Sequence, residues 1–198
     1  MIYHKLYDLH KGKTTSVGLI GTGHFGIAVI GQAVLQPQLK VGAVADKNED
    51  AIWNAAEKAG ILRESLSFCT SVEEAKKQQE KGQVIAVTDP MILMDLDLDT
   101  IVEATGNPEA GARHCIAAMN HGKHIVMVNK ETDSCVGPIL KKMAEEKGVV
   151  CTPVDGDQHG ALMQMMQWAR ELGLEVLSAG QSRDAEFIYD SAKKTVPV

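Results

Sequence analysis

The chain has 198 residues, of which 44% are hydrophobic and 23% charged, and a formal net charge of −6. That balance belongs to an ordinary globular protein with a sizeable core, and excludes a disordered or membrane-embedded one. The acidic total and the absence of a basic run argue against nucleic acid or an anionic membrane as the main partner.

Met1 to Lys13 sets Tyr3, Leu6, Tyr7 and Leu9 at roughly helical spacing, which makes residues 1–15 an arm suited to packing on the domain or on another subunit. Ser16 to Ile20 is a short apolar run that breaks into Gly21-Thr22-Gly23-His24-Phe25-Gly26. The spacing of the three glycines fits a dinucleotide-binding turn. Gly21 would allow a tight strand-to-helix turn, Gly23 a close approach to a pyrophosphate, and Gly26 close packing of helix on strand. Backbone N–H groups at the new helix's start then face the phosphates, where the dipole favours negative charge. Thr22, His24 and Phe25 belong to the same cleft.

A helical run, His24 to Leu35, follows, and a second apolar run, Lys40 to Ala45, ends in Asp46. Asp46 stands where the acidic residue that holds an adenosine ribose is expected, about 20 residues past the last glycine. A carboxylate accepts ribose hydroxyls and repels a 2′-phosphate, so NAD is the expected cofactor, while Lys47 keeps NADP open.

Glu49 to Ala59 reads as a helix with Gly60 as its stop, and Leu66 to Cys69 as a short strand. Ser71 and Glu74 form a capping box for a helix to about Lys81. Val84 to Val87 reads as a buried strand that turns at Thr88-Asp89-Pro90. Met91 to Asp99 mixes methionine, leucine and aspartate without a clear period and reads as a loop.

Thr100 to Ala104 is the next predicted strand, followed by the turn Thr105-Gly106-Asn107-Pro108 and a helix over Glu109 to His121. Lys123 to Val128 is a strand ending in Asn129-Lys130-Glu131, and a helix runs from about Ser134 to Lys147. Val149 to Val154 reads as a strand, Asp155 to Gly160 as a polar turn, Ala161 to Leu172 as a helix and Leu174 to Ala179 as a strand. Gln181 to Val198 shows no complete element.

Strands alternating with helices predict an α/β fold, a Rossmann-type doubly wound, mainly parallel sheet with its ligand beyond the strands' carboxyl ends. The predicted organisation is an arm over 1–15, a nucleotide-binding domain over 16–158, and the start of a truncated second domain over 159–198. Lys130 is a poor choice for a helix start, where the dipole disfavours positive charge, and that mismatch points to a site. Glu131 either pairs with it or favours the helix start.

Cys69, Cys115, Cys135 and Cys151 stand far apart, with no Cys-x-x-Cys pair. They predict free thiols in a reducing cytoplasm, with neither a metal site nor a disulfide framework. Met1 to Thr15 lacks the apolar core of a secretory signal, and no stretch approaches the about 18 apolar residues of a membrane span.

Gly-Thr-Gly-His-Phe-Gly at 21 to 26, Val-Glu-Ala-Thr-Gly-Asn-Pro at 102 to 108 and Gly-Lys-His-Ile-Val-Met-Val-Asn-Lys-Glu at 122 to 131 together resemble the nucleotide-binding half of homoserine dehydrogenases. More narrowly, they resemble homoserine-dehydrogenase-like oxidoreductases that carry a C-terminal SAF domain. Asp155 to Gly160 is similar to a Gly-Asp-Gln-Pro-Gly turn of that subgroup, with His159 in place of proline. The resemblance covers about residues 16 to 180.

It implies hydride transfer between a nicotinamide ring and a hydroxyl or aldehyde carbon of a small substrate, in a homo-oligomer. It also implies that Lys130 lies near nicotinamide and substrate with Glu131 beside it, that Asn129 positions Lys130, and that the turn of Thr105, Gly106 and Asn107 passes under the ribose and nicotinamide side. The catalytic aspartate and lysine of true homoserine dehydrogenases belong to a C-terminal substrate domain that this sequence does not show. Two alternatives stand beside this reading: a Gfo/Idh/MocA-like dehydrogenase of a sugar or polyol derivative, and a non-catalytic module that senses NAD(H).

Overall fold

Among the described residues the apolar runs form seven short strands: β1 (Thr15–Ile20), β2 (Leu39–Ala45), β3 (Leu66–Phe68), β4 (Val84–Val87), β5 (Thr100–Glu103), β6 (His124–Met127) and β7 (Cys151–Pro153). Between and after them lie helices α1 (His24–Leu35), α2 (Glu49–Lys58), α3 (Val72–Glu80), α4 (Pro108–Asn120), α5 (Lys130–Lys147) and α6 (Gln158–Glu171). This computed structural model describes residues 5, 8–9, 11–154 and 158–180. The chain divides into two units, Met1–Val154 and Asp155–Val198.

In the first unit the strands form one sheet in the order β3-β4-β2-β1-β5-β6-β7, and every pairing is parallel. A parallel sheet is covered on both faces, so its strands are apolar on both. One face packs Val17, Leu19 and Val44 against Ile30 of α1 and Ile52, Ala55 and Ala56 of α2. The other packs Ile20, Ala43, Ile85 and Ile101 against α3, α4 and α5 through Ala75, Cys115, Met119 and Leu140. The chain leaves β1 toward β2 on one side, and β5 takes up the other, so strand order reverses between β1 and β5.

The run from Met91 to Asp99 is more ordered than its sequence predicts. Pro90–Asp95 is a 3₁₀ helix capped by Asp89, whose side chain accepts the Met91 N–H at 2.9 Å. Ile92, Leu93, Met94, Leu96 and Leu98 are all buried in the core. The sheet makes room for them with two glycines. A Cβ at Gly18 of β1 would stand 2.8 Å from Leu98 Cδ1, and one at Gly42 of β2 would stand 3.0 Å from Leu98 Cδ2. The buried Lys123 closes the segment, its Nζ donating to the carbonyls of Leu96 at 2.7 Å and Leu98 at 3.0 Å.

Three further expectations are corrected. α5 begins at Lys130 rather than near Ser134, because Asn129 caps it by accepting the Thr132 N–H at 3.1 Å. In the second unit Gln158 to Gly160 are the first turn of α6, not a turn before it. Leu174 to Ala179 form no strand, and Leu174 and Leu177 are exposed; among the described residues no neighbouring strand takes up that segment's backbone groups, and a strand without a partner is not stable. The arm's helical spacing falls mostly outside the described residues, as do Asp155 to Asp157 and Gln181 to Val198.

Candidate cofactor-binding site

The glycine turn sits at the switch point of the sheet. Gly21 continues β1 by donating its N–H to Ala45 O of β2 at 2.8 Å, then turns sharply at φ +99°. A side chain there would be strained, and its Cβ would stand 2.6 Å from Ala104 O. A Cβ on Gly26 would run into the carbonyl of Gly21, so α1 packs directly on the turn. Gly23 differs from both. Among the described residues a Cβ there meets nothing within 4 Å, so its lack of a side chain faces open space.

Gly23 is also the N-cap of α1 and offers no side-chain acceptor, and the first turn of α1 carries no acidic residue. By contrast α2, α3, α4 and α5 each carry one or two acidic residues in their first turns and a side-chain cap. A helix start with uncapped N–H groups and a positive dipole end is a site for an anion.

Asp46 closes this side of the cleft. Its Oδ2 accepts both the N–H and the hydroxyl of Thr22, each at 2.8 Å, and its Oδ1 accepts the Asn48 N–H at 3.0 Å. Burial alone would raise the Asp46 carboxyl; these hydrogen bonds, with Lys47 nearby, bring it below its ordinary value. Asp46 is therefore a carboxylate at neutral pH. Of the about four acceptor positions of a carboxylate, three are taken.

The opposite wall is a hydrogen-bonded network at the ends of β5 and β6. The wholly buried Glu103 accepts the Thr105 hydroxyl on Oε1 at 2.6 Å, and the same oxygen lies 3.1 Å from Nδ1 of the buried His114. Among the described residues its Oε2 has no hydrogen-bond partner. Asn129, also buried, donates through Nδ2 to Thr105 Oγ1 at 3.2 Å and to Asn107 O at 2.9 Å. Gly106 makes the turn possible at φ +68°. Asn107 caps α4 by accepting the Ala110 N–H at 2.9 Å.

Between these walls lies a cavity of about 470 Å³, a volume typical of small-molecule sites. Of the residues singled out in the sequence, Gly21, Gly23, Asp46, Thr105 and Asn107 line it, together with Lys47, Thr88 and His114. Thr22 and Gly26 are buried behind the turn, and His24 and Phe25 are exposed on the first turn of α1. Asn129 stands behind Thr105. Lys130 and Glu131 begin α5 as exposed residues and are not part of the cavity wall.

Glu103, His114 and Thr132 belong to the network but were not apparent as site residues from sequence. The available signal was a glutamate closing an apolar strand, which a doubly covered sheet does not bury without a partner.

The residues present fit a dinucleotide: an uncapped helix start for its pyrophosphate, open space over Gly23, an ionised carboxylate at the end of β2, and a polar turn across the cleft. A parallel doubly wound sheet with this site at its switch point defines a nucleotide-binding domain of the dehydrogenase class. Residues 17–151 match the family model for the homoserine dehydrogenase NAD-binding domain. The chain belongs to that family and is an NAD-binding oxidoreductase domain.

Among curated relatives, 1-deoxy-D-xylulose 5-phosphate reductoisomerase of Thermotoga neapolitana is 30% identical over 146 residues, covering 63% of this chain and 38% of that protein. Among solved structures, a homoserine dehydrogenase of Thiobacillus denitrificans superposes with a TM-score of 0.51 at 21% identity, over 71% of this chain and 29% of that one. The WlbA dehydrogenase of Bordetella pertussis, solved with NADH and UDP-GlcNAcA, gives a TM-score of 0.55 at 18% identity over 82% of this chain and 41% of that one. At those identities the two structures share the fold. The chain spans less than half the length of each of these proteins.

Proposed function

We propose that the chain is the cofactor-binding part of a dehydrogenase that moves hydride between nicotinamide and a hydroxyl or aldehyde carbon of a small substrate. The observation that carries this reading is the pairing of two turns across the switch point: the glycine turn after β1, with open space at Gly23, and the Thr105-Gly106-Asn107 turn after β5. NAD, when bound, supplies the hydride acceptor. On this reading the turn of Gly21, Gly23, His24, Phe25 and Gly26 cradles the pyrophosphate, Thr22 holds Asp46, and Asp46 faces the adenosine ribose. With one acceptor position left, Asp46 takes one ribose hydroxyl.

Thr105, Gly106, Asn107 and Asn129 hold the nicotinamide side of the cleft. Lys130 then stands one residue beyond Asn129, at the exposed start of α5, where it meets substrate from outside the cavity and orients it or exchanges a proton with its oxygen. Glu131 sits beside it. Residues 159–198 open the substrate-binding part of the protein.

A second reading takes a sugar-derived substrate, reduced or oxidised at one carbon. It draws support from the 30% identity to a reductoisomerase whose name gives a pentulose phosphate.

Transfer of isotope-labelled hydride from NADH to a panel of aldehydes and keto sugars, made with the longest natural form of the protein, tests both. Label in an aldehyde that is not a sugar supports the first reading, label in a keto sugar the second, and label in none overturns catalysis. Lys130→Ala is expected to leave NAD affinity within a few-fold and to slow the hydride step by about 10²-fold.

A further inference from the structure

Thr22 has two hydrogen-bond donors, its backbone N–H and its hydroxyl, and the structure commits both to one atom. Each donates to Asp46 Oδ2 at 2.8 Å. The arrangement is rigid on the Thr22 side. Thr22 is 3% exposed, held between Gly21 at φ +99° and the helix cap Gly23. On the Asp46 side, Oδ1 is held by the Asn48 N–H at 3.0 Å. A carboxylate at the end of a strand and only half-buried would otherwise turn freely toward water.

We propose that Thr22 is the positioning residue that sets the cofactor preference, by locking the Asp46 carboxylate across the mouth of the cleft so that the domain takes NAD and rejects NADP. The inference rests on the reading that the cleft holds a dinucleotide with its adenosine ribose at Asp46.

Two effects of the lock act in the same direction. First, the fixed carboxylate presents only lone pairs, which suit a ribose hydroxyl as donor and repel a 2′-phosphate. Second, both Thr22 donors are spent. A threonine hydroxyl and a turn N–H would each serve a phosphate well, but neither is available while Asp46 holds them. Lys47, which lines the same cavity, is the charge that a 2′-phosphate would meet if the carboxylate swung away. The lock therefore decides whether a phosphate at this position finds a carboxylate or a lysine. The hydrogen bonds from Thr22 and Asn48 also keep the Asp46 carboxyl below its ordinary value despite the opposing effect of burial.

The test is calorimetric titration of the 198-residue chain with NAD and with NADP, for the wild type, Thr22→Val and Thr22→Ser. Valine keeps the branched shape and removes the hydroxyl; serine keeps the hydroxyl. The expected result is a wild-type preference for NAD that falls about tenfold or more in Thr22→Val, a change on the scale of one hydrogen bond to a charged group, and stays within about twofold in Thr22→Ser. Thr22→Ala serves in place of Thr22→Val if the latter does not fold. A purely packing role for Thr22 would weaken both cofactors together and leave their ratio fixed, and that outcome overturns the inference. A wild type that binds neither dinucleotide removes the dinucleotide reading itself, a result separate from an unmoved ratio.

Discussion

His114 Nδ1 lies 3.1 Å from Oε1 of Glu103, and the glutamate is wholly buried although its other carboxylate oxygen has no hydrogen-bond partner among the described residues. The contact joins α4 to the end of β5, and the same Oε1 holds the Thr105 hydroxyl at 2.6 Å. One carboxylate thus fixes both a helix and the turn that crosses the cofactor cleft. Glu103→Ala leaves the Thr105 hydroxyl without its acceptor and His114 Nδ1 without its partner, and opens a cavity. The expected cost is about 2–4 kcal/mol, read from urea unfolding. NAD affinity is expected to fall as well, because the Thr105-Gly106-Asn107 turn loses its anchor. An unfolding midpoint equal to that of the wild type would show that the buried network does not hold the turn.

Lys123 performs the corresponding task below the sheet. Its Nζ holds the carbonyls of Leu96 and Leu98, so Lys123→Met keeps most of the apolar volume but takes the ammonium donor from both carbonyls and leaves Leu96 O with the Leu98 N–H at 3.0 Å. A loss of about 2–3 kcal/mol is expected in thermal or urea unfolding, without a change in NAD affinity measured well below the melting temperature. A variant as stable as the wild type would place the packing of the 3₁₀ segment entirely in its leucines.

The acid limb of stability carries the signature of Asp46. Its carboxyl is held below the ordinary value in the folded chain, so the unfolded chain takes up the proton first. The stabilising contribution is complete above about pH 4, the unfolded value, and is lost as pH falls through the folded one. Asp46→Asn is expected to flatten the fall of stability below about pH 4 and to leave the slope unchanged above about pH 5. Parallel acid limbs in variant and wild type would mean that Asp46 has the same proton affinity folded and unfolded.

What the sequence disclosed is local, and what it concealed depends on distant chain. Gly21, Gly23, Gly26 and Asp46 are legible because a tight turn, a close approach and a strand end each demand a residue type at a set spacing. The alternation of apolar runs and helical runs likewise led directly to the parallel sheet. Met91 to Asp99 was opaque because its burial is arranged by Gly18 and Gly42, many residues earlier, whose missing side chains admit Leu93 and Leu98. Leu174 to Ala179 misled in the opposite way. Its apolar residues suit a strand, but a strand depends on a neighbour that no local pattern reports. The Glu103–His114 contact needed the angle between β5 and α4, which sequence spacing does not state. The lock of Thr22 on Asp46 was hidden too: both residues were visible as candidates, but not that one occupies the other.

The most direct measurement is calorimetric titration of NAD into the wild-type chain and into Gly23→Ala and Gly26→Ala, each with its unfolding curve. Alanine at Gly23 meets nothing within 4 Å among the described residues, so stability is expected to stay within about 0.5 kcal/mol of the wild type while the added methyl keeps the pyrophosphate off the turn and lowers NAD affinity about tenfold or more. Alanine at Gly26 drives its Cβ into the carbonyl of Gly21 and is expected to cost about 1–3 kcal/mol of stability. Saturable wild-type binding that is weakened by Gly23→Ala without loss of fold places NAD on the glycine turn. Wild-type binding that Gly23→Ala leaves unchanged, or no binding at all, contradicts it.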